Sequence, residues 1–450
     1  MLRTYTVSTN ISFKHINKLA IPALIAGVSE PILSLTDTAI VGNVDVNATE
    51  SLAAVGIVGV FISMLIWVFG QTRSAISSIV SQYVGANNLD QVKNLPAQAI
   101  FIITSISILI ILATYPFAEQ IFKLYNASNL ILDYSVAYYQ IRVFGFPFTL
   151  FTIAVFGTFR GLQNTYYPMI IAIVGAASNI VLDVVLVYGV KNYVPAMHIQ
   201  GAAYASVVAQ VLMAALSAYY LLKKTPISLK LILPFNKEIK RFTVMILNLF
   251  IRTLALNVTL YFASAFSTSY GKQYIAAYTI AINLWFLGAF IIDGYASAGN
   301  ILSGKLLGGK EYGKLIRLSN KLIRYGVYLG LFLALLGSLF YYVIGTIFTK
   351  EPEVLNEFYN IFWMVLAMQP FCAIAFIFDG MFKGLGKMKD LRNLLLASTF
   401  FVFVPILFWL DSLDLKLYAI FIAFTCWIMA RGFPLIIKFR KEFLPLSQNH

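Results

Sequence analysis

Twelve windows of roughly 20 residues in which apolar side chains run almost uninterrupted recur along the chain, near 17–43, 52–80, 97–118, 133–156, 166–189, 202–222, 242–267, 275–302, 320–348, 356–379, 391–411 and 416–437. A helix of about 20 residues is long enough to cross the ~30 Å hydrocarbon core of a bilayer. Backbone amides in lipid must be satisfied within the protein, which leaves helices and closed barrels as the spanning structures. The ten-residue alternating segments of a barrel do not occur in this sequence. The predicted fold class is therefore an all-α polytopic membrane protein with twelve transmembrane helices. Composition points the same way: 60% of residues are hydrophobic and 12% are charged, unlike an ordinary soluble domain.

Lys and Arg set the orientation. Twenty-four of them fall in the N-terminal tail, the even-to-odd loops and the C-terminal tail, against five on the opposite side: Lys123, Lys191, Lys272, Lys350 and Lys416. The positive-inside rule then places both termini in the cytoplasm. The basic start, Arg3, Lys14 and Lys18, leads into a segment long enough to span, so no cleaved leader is expected. A net charge of +14 confined to short loops is a topology signal, and no nucleic-acid partner is expected. Cys372 and Cys426 both lie in apolar runs and offer neither a disulfide framework nor metal-ligand spacing.

The chain also repeats itself. "FRGLQNTYYP" at 159 returns as "FKGLGKMKDL" at 382. The same offset carries Phe146–Pro147 onto Gln369–Pro370, Gly157 onto Gly380, and "SLAAVGIVG" at 51 onto "YIAAYTIAI" at 274. Two six-helix lobes follow, 1–222 and 242–450, joined by a basic cytoplasmic linker at 223–241. Six is even, so the lobes share one topology and are related by an axis along the membrane normal. Duplicated bundles of this kind are built for alternating access, although channels and scaffolds can share the plan.

The halves agree in spacing and differ in chemistry. Glu30 and Asp37 lie seven residues apart in the first span, nearly on one helix face. Asn179 and Asp183 stand at i and i+4 in the fifth span, and Ser206 opens a small-residue stretch in the sixth. Carried along by the repeat offset, Glu30, Asp37, Asn179 and Asp183 fall on Thr253, Leu260, Val402 and Ile406. Intramembrane acids survive by facing a protein interior or a watery cavity, and are functional by default. These oxygen-bearing residues form a candidate site for a proton or Na⁺, with Na⁺ ligation assigned to Asp37, Asn179 and Asp183. The competing reading pairs the acids with the intramembrane arginines Arg73 and Arg142 as structural ties. Pro22 and Pro31 interrupt the hydrogen bonding of the first span and favour a kink in the helix that carries the acids. Asp293 and Asp379 in the second half are expected near the cytoplasmic ends of their spans, within reach of water.

The segments "AIPALIAGVSEPILSLTDTAIVGN" at 20–43, "SQYVGANN" at 81–88, "FRGLQNTYYP" at 159–168, "SNIVLDVVLVYG" at 178–189 and "GAAYASVVAQ" at 201–210 give the chain, over about 15 to 440, a resemblance to the multidrug and toxic compound extrusion (MATE) family. It looks most like the DinF-like branch. The resemblance implies two six-helix lobes and cation-coupled export of amphipathic, often cationic, organic compounds. It assigns coupling to Asp37, Asn179 and Asp183, the helix bend to Pro22 and a small hydroxyl position to Ser206. Glu30 departs from the pattern, standing where a neutral polar residue is expected, which bears on charge count and ion choice. No acid lies deep in the seventh or tenth span, where other branches of the family use one.

The mechanism expected is antiport. Cations entering from outside load Asp37 and Asp183, bend the first helix and expel substrate, and the loaded state then favours inward opening. No cofactor beyond the coupling ion is expected, the protein is read as a monomer, and its place is the plasma (inner) membrane of a prokaryote. One rival is a flippase for lipid-linked saccharides, which would gather Arg73, Arg142 and Arg252 around a pyrophosphate. Enzymatic activity is not expected, because the three histidines His15, His198 and His450 form no nucleophile/base or metal pattern.

Overall fold

The structure, a computed structural model, describes residues 11–44 and 47–448, with the side chains of 29–35 outside the described set. In chain order the helices of the first half are α1 (Phe13–Val41), α2 (Ala48–Phe69), α3 (Thr72–Gly85), α4 (Leu95–Thr114), α5 (Ala118–Leu124), α6 (Asn129–Arg142), α7 (Phe146–Gly161), α8 (Tyr166–Tyr188) and α9 (His198–Lys224). The second half adds α10 (Glu238–Ser269), α11 (Lys272–Gly308), α12 (Tyr312–Leu339), α13 (Tyr341–Phe348), α14 (Pro352–Gly384), α15 (Met388–Ser398), α16 (Val404–Asp411) and α17 (Leu417–Gln448). Among the described residues eleven helical stretches are long and apolar enough to cross a membrane. With α1 they make twelve. The protein is an all-α, multi-pass membrane protein.

Most spans begin or end where the backbone demands it. Gly189, with φ 75°, ends α8, and Gly271, with φ 125°, precedes α11; both lie where a side chain is poorly tolerated. The span predicted at 320–348 is two helices. It starts earlier, at Tyr312, and breaks at Phe340 (φ −101°, ψ 23°) before the short α13. The predicted span at 356–379 likewise continues to Gly384. Hydropathy windows stop at the first charges, whereas helical hydrogen bonding continues past them. Between α15 and α16, Thr399–Phe403 forms a turn of π-helix just ahead of Pro405, where a missing amide and the ring favour wider winding.

The duplication is written into the packing. A Cβ on Gly157 would fall 2.6 Å from the backbone oxygen of Arg73, and one on Gly380 would fall 2.1 Å from that of Ala296. The next pair repeats it, Gly161 against the Ser77 backbone oxygen and Gly384 against that of Asn300. The offset that carries position 159 to 382 also carries Arg73 to Ala296 and Ser77 to Asn300, so the two crossings are one contact built twice. Small residues four apart allow two helices to touch backbone to backbone, a crossing both halves retain.

Residue contacts divide the chain into two units. The C-terminal unit comprises the residues up to Leu24, Ser81–Asn87 and the chain from Leu247, and the N-terminal unit comprises Ile25–Val80 and Asn88–Ile246. This differs from a cut at the linker in three short segments, one of them 242–246 at the start of α10, which falls in the N-terminal unit. The start of α1 belongs with the second half because Ile16, Leu19 and Ala20 share an apolar core with Ile301, Leu302 and Phe378. The end of α3 does so because Gln82 Nε2 donates to the Gly384 oxygen at 2.8 Å. In the N-terminal unit, Phe61, Phe122 and Tyr139 pack edge to face, and the Tyr139 hydroxyl donates to Thr114 Oγ1 at 2.6 Å. That cluster fixes α6 against α2 and α4.

Candidate functional site

The N-terminal unit buries a polar cluster built from α1, α6, α8 and α9. Asp37 is 4% exposed, Asn179 1%, Asp183 0% and Ser206 4%. The i, i+4 spacing on α8 turns Asn179 and Asp183 to one face, and the small residues Ala202, Ala205 and Ala209 around Ser206, all buried, let α9 come close. The Ser206 hydroxyl donates to Asp37 Oδ2 at 2.9 Å, and Asn179 Nδ2 donates weakly to Ser206 Oγ at 3.4 Å. Asp183 lies in electrostatic reach of Asp37 and of Arg142.

Most of the cluster's acceptors are unmatched. Asp37 Oδ1, Asn179 Oδ1 and both carboxylate oxygens of Asp183 are buried without a hydrogen-bond partner among the described residues. Four acceptors facing inward with nothing to accept from are costly to bury. The arrangement suits a proton or a small hard cation, both of which supply positive charge to oxygen. Two carboxylates and one guanidinium leave a net charge of −1 when all are ionised. One monovalent cation balances it.

The structural alternative finds less support. Among the described residues, neither Asp37 nor Asp183 forms an ion pair within 4.0 Å with Arg73 or Arg142. Instead Arg142 stands one α6 turn after the buried Tyr138, its Nη1 without a hydrogen-bond partner among the described residues, and Tyr138 lies in electrostatic reach of Asp37 and Asp183. Tyr138 was not among the residues singled out from the sequence; its i, i+4 relation to Arg142 was the available signal. Glu30 lies outside the described side chains. Pro22 sits half-buried within α1, two residues before the point where the chain passes from one unit to the other. A Cβ on Gly294 of α11 would fall 2.8 Å from both the Ala20 oxygen and Leu24 Cβ, so α11 seats the turn around Pro22.

The positions equivalent to Asp37 and Asp183 in the other half are apolar. Leu260 and Ile406 pack against a core that holds Phe403, Phe424 and Trp427. The remaining polarity there is paired: Trp427 Nε1 donates to Thr399 Oγ1 at 3.1 Å, and Thr399 and Thr259 share a hydrogen bond of 3.1 Å. Asp379 corrects the sequence expectation. It is 7% exposed, and Arg252, Lys383 and Arg431 surround it at 2.6, 2.9 and 3.6 Å. Helices α10 and α17 cover what was read as an open cytoplasmic end. Asp293 is exposed and accepts from Ser297 at 3.5 Å.

The MatE family model matches residues 22–185 and again 245–409, two copies displaced from one another as position 159 is from 382. The chain belongs to the MatE family. Among curated MATE relatives, the DNA damage-inducible protein F of Escherichia coli is 25% identical over 439 residues, covering 94% of this chain and 91% of that protein. A multidrug resistance protein MdtK from Yersinia enterocolitica is 26% identical over 383 residues, covering 84% and 82%. A MATE crystal structure in the bent conformation superposes with a TM-score of 0.89 at 20% identity, over 98% of this chain and 97% of that one. The MATE fold of two lobes is therefore the fold of this chain, and the family is one of membrane transporters.

Proposed function

We propose that this MATE protein is a cation-coupled antiporter that exports amphipathic organic compounds by alternating access. The carrying observation is the set of four partnerless oxygens on Asp37, Asn179 and Asp183, in a cluster one positive charge short of balance. Loading one H⁺ or Na⁺ there neutralises the site, and its release restores a net negative patch. Organic cations, the cargo class implied by family membership, compete with the coupling ion for the same carboxylates. A ligand that binds one conformation tenfold better biases the equilibrium by about 1.4 kcal/mol, enough to set direction under a gradient. Pro22 is the proposed hinge, with Gly294 as its seat. The reading includes a monomer in a prokaryotic inner membrane with both termini cytoplasmic.

The test is efflux of a fluorescent organic cation from proteoliposomes, driven separately by a pH gradient and by a Na⁺ gradient. Wild type is expected to respond to one gradient, with an ion-to-charge stoichiometry of one, and Asp37→Asn to neither. Unimpaired gradient-driven efflux by Asp37→Asn would sink the assignment.

A further inference from the structure

We propose that the cluster around Asp379 is a binding site for an anionic group, the carboxylate, phosphate or sulfonate of an amphipathic molecule. Arg252, Lys383 and Arg431 converge on a single carboxylate at 2.6, 2.9 and 3.6 Å. Three cations against one anion leave an excess of two positive charges around that carboxylate when all four are ionised. Asp293, the further acid that Lys383 senses, is solvent-exposed and screened, and the neutral Cys372 lies beside Arg431. Burying unbalanced charge is expensive, and a counter-ion relieves it without the loss of a proton.

A second observation points to a ligand. Arg252 is 7% exposed, yet its Nε has no hydrogen-bond partner among the described residues. The guanidinium gives one contact to Asp379 through Nη2 and leaves the neighbouring Nε–H of that fork unused. Guanidinium forks match carboxylate and phosphate oxygens in pairs. Arg431 is held in place independently, its guanidinium carbon 4.9 Å from the Trp427 ring and 5.4 Å from that of Phe376.

The fold does not require the cluster. The equivalent positions in the first half are Ser29, Phe156, Arg160 and Val208, so that half builds the same lobe with one of the four charges. The coupling cluster and this one carry opposite signs, in different units. The proposal rests on the export reading only in taking the anion to be part of the cargo, and it extends the cargo class to anionic and zwitterionic amphiphiles.

Isothermal titration of the protein in phosphatidylcholine nanodiscs, without any gradient, tests the site, with empty nanodiscs subtracted. The probes are dodecanoate, dodecyltrimethylammonium with the same tail and opposite head, and inorganic phosphate as competitor. Dodecanoate is expected to saturate and the ammonium probe not to compete. Arg431→Gln keeps both shorter contacts to Asp379 and should weaken dodecanoate about tenfold, while Asp379→Asn removes the resident competitor and should tighten it. Competition by phosphate assigns the site to a free anion, and its absence assigns it to the head of an amphiphile. Equal dodecanoate affinity in wild type and Arg431→Gln, or equal competition by the ammonium probe, overturns the proposal. Asp37→Asn should bind dodecanoate as wild type does. Failure of gradient-driven efflux with charge-dependent binding intact therefore counts against the export reading alone.

Discussion

Replacing Ser206 with alanine removes one oxygen from the N-terminal polar cluster and leaves everything else in reach. The hydroxyl donates to Asp37 Oδ2 at 2.9 Å inside a site where the other Asp37 oxygen already lacks a donor. Without it, Asp37 has no hydrogen-bond donor among the described residues. A hydrogen bond to a charged group is worth about 1.5–3 kcal/mol, and it stabilises Asp37 in its empty, ionised form. Losing it therefore favours the loaded form, by about a factor of ten at the low end of that range. In proteoliposomes the half-saturating Na⁺ concentration should fall by about tenfold. If the coupling ion is H⁺, half-activation should move up by about one pH unit. The maximal rate at saturating ion need not change, because Asp37 and Asp183 remain. An unchanged half-saturation point, or a shift toward weaker binding, would refute the reasoning. The latter would make Ser206 a ligand of the ion instead of a partner of the empty carboxylate.

Gly380→Ala places a Cβ 2.1 Å from the Ala296 backbone oxygen, an overpacking expected to cost about 1–3 kcal/mol; thermal unfolding in detergent should show it. Gly27→Ala, with nothing among the described residues within 4 Å of the new carbon, is the matched control and should not lower the unfolding temperature. Thr399→Val strands the indole N–H of the fully buried Trp427, at about 1–3 kcal/mol, while the Thr259 hydroxyl keeps its bond to the Ala255 oxygen. Denaturation followed by tryptophan fluorescence should report the loss, while cation-driven efflux by the folded fraction stays near wild type.

Apolar run length fixed the twelve spans, and the constant offset between matching segments fixed the duplication. Both are properties of local sequence, since a bilayer asks for one length of apolar helix and a repeated fold repeats its small-residue crossings. The acids of the first half were legible for a related reason: a carboxylate in an apolar run has nowhere to go but inward. Glu30 remains a reading of the sequence alone, its side chain lying outside the described set. Partnership was not legible. Tyr138 joins Asp37 and Asp183 only because α6 packs on α9, which packs on α8, and Asp379 on α14 meets Arg252 from α10 and Arg431 from α17, helices far from it along the chain. Those meetings depend on which helix faces which, and hydropathy does not encode it. The sequence by itself therefore determined the membrane helices, their repetition and the positions of the buried charges. Tertiary packing decided which charges share a site and which are left short of a partner, because electrostatic balance depends on distances between helices.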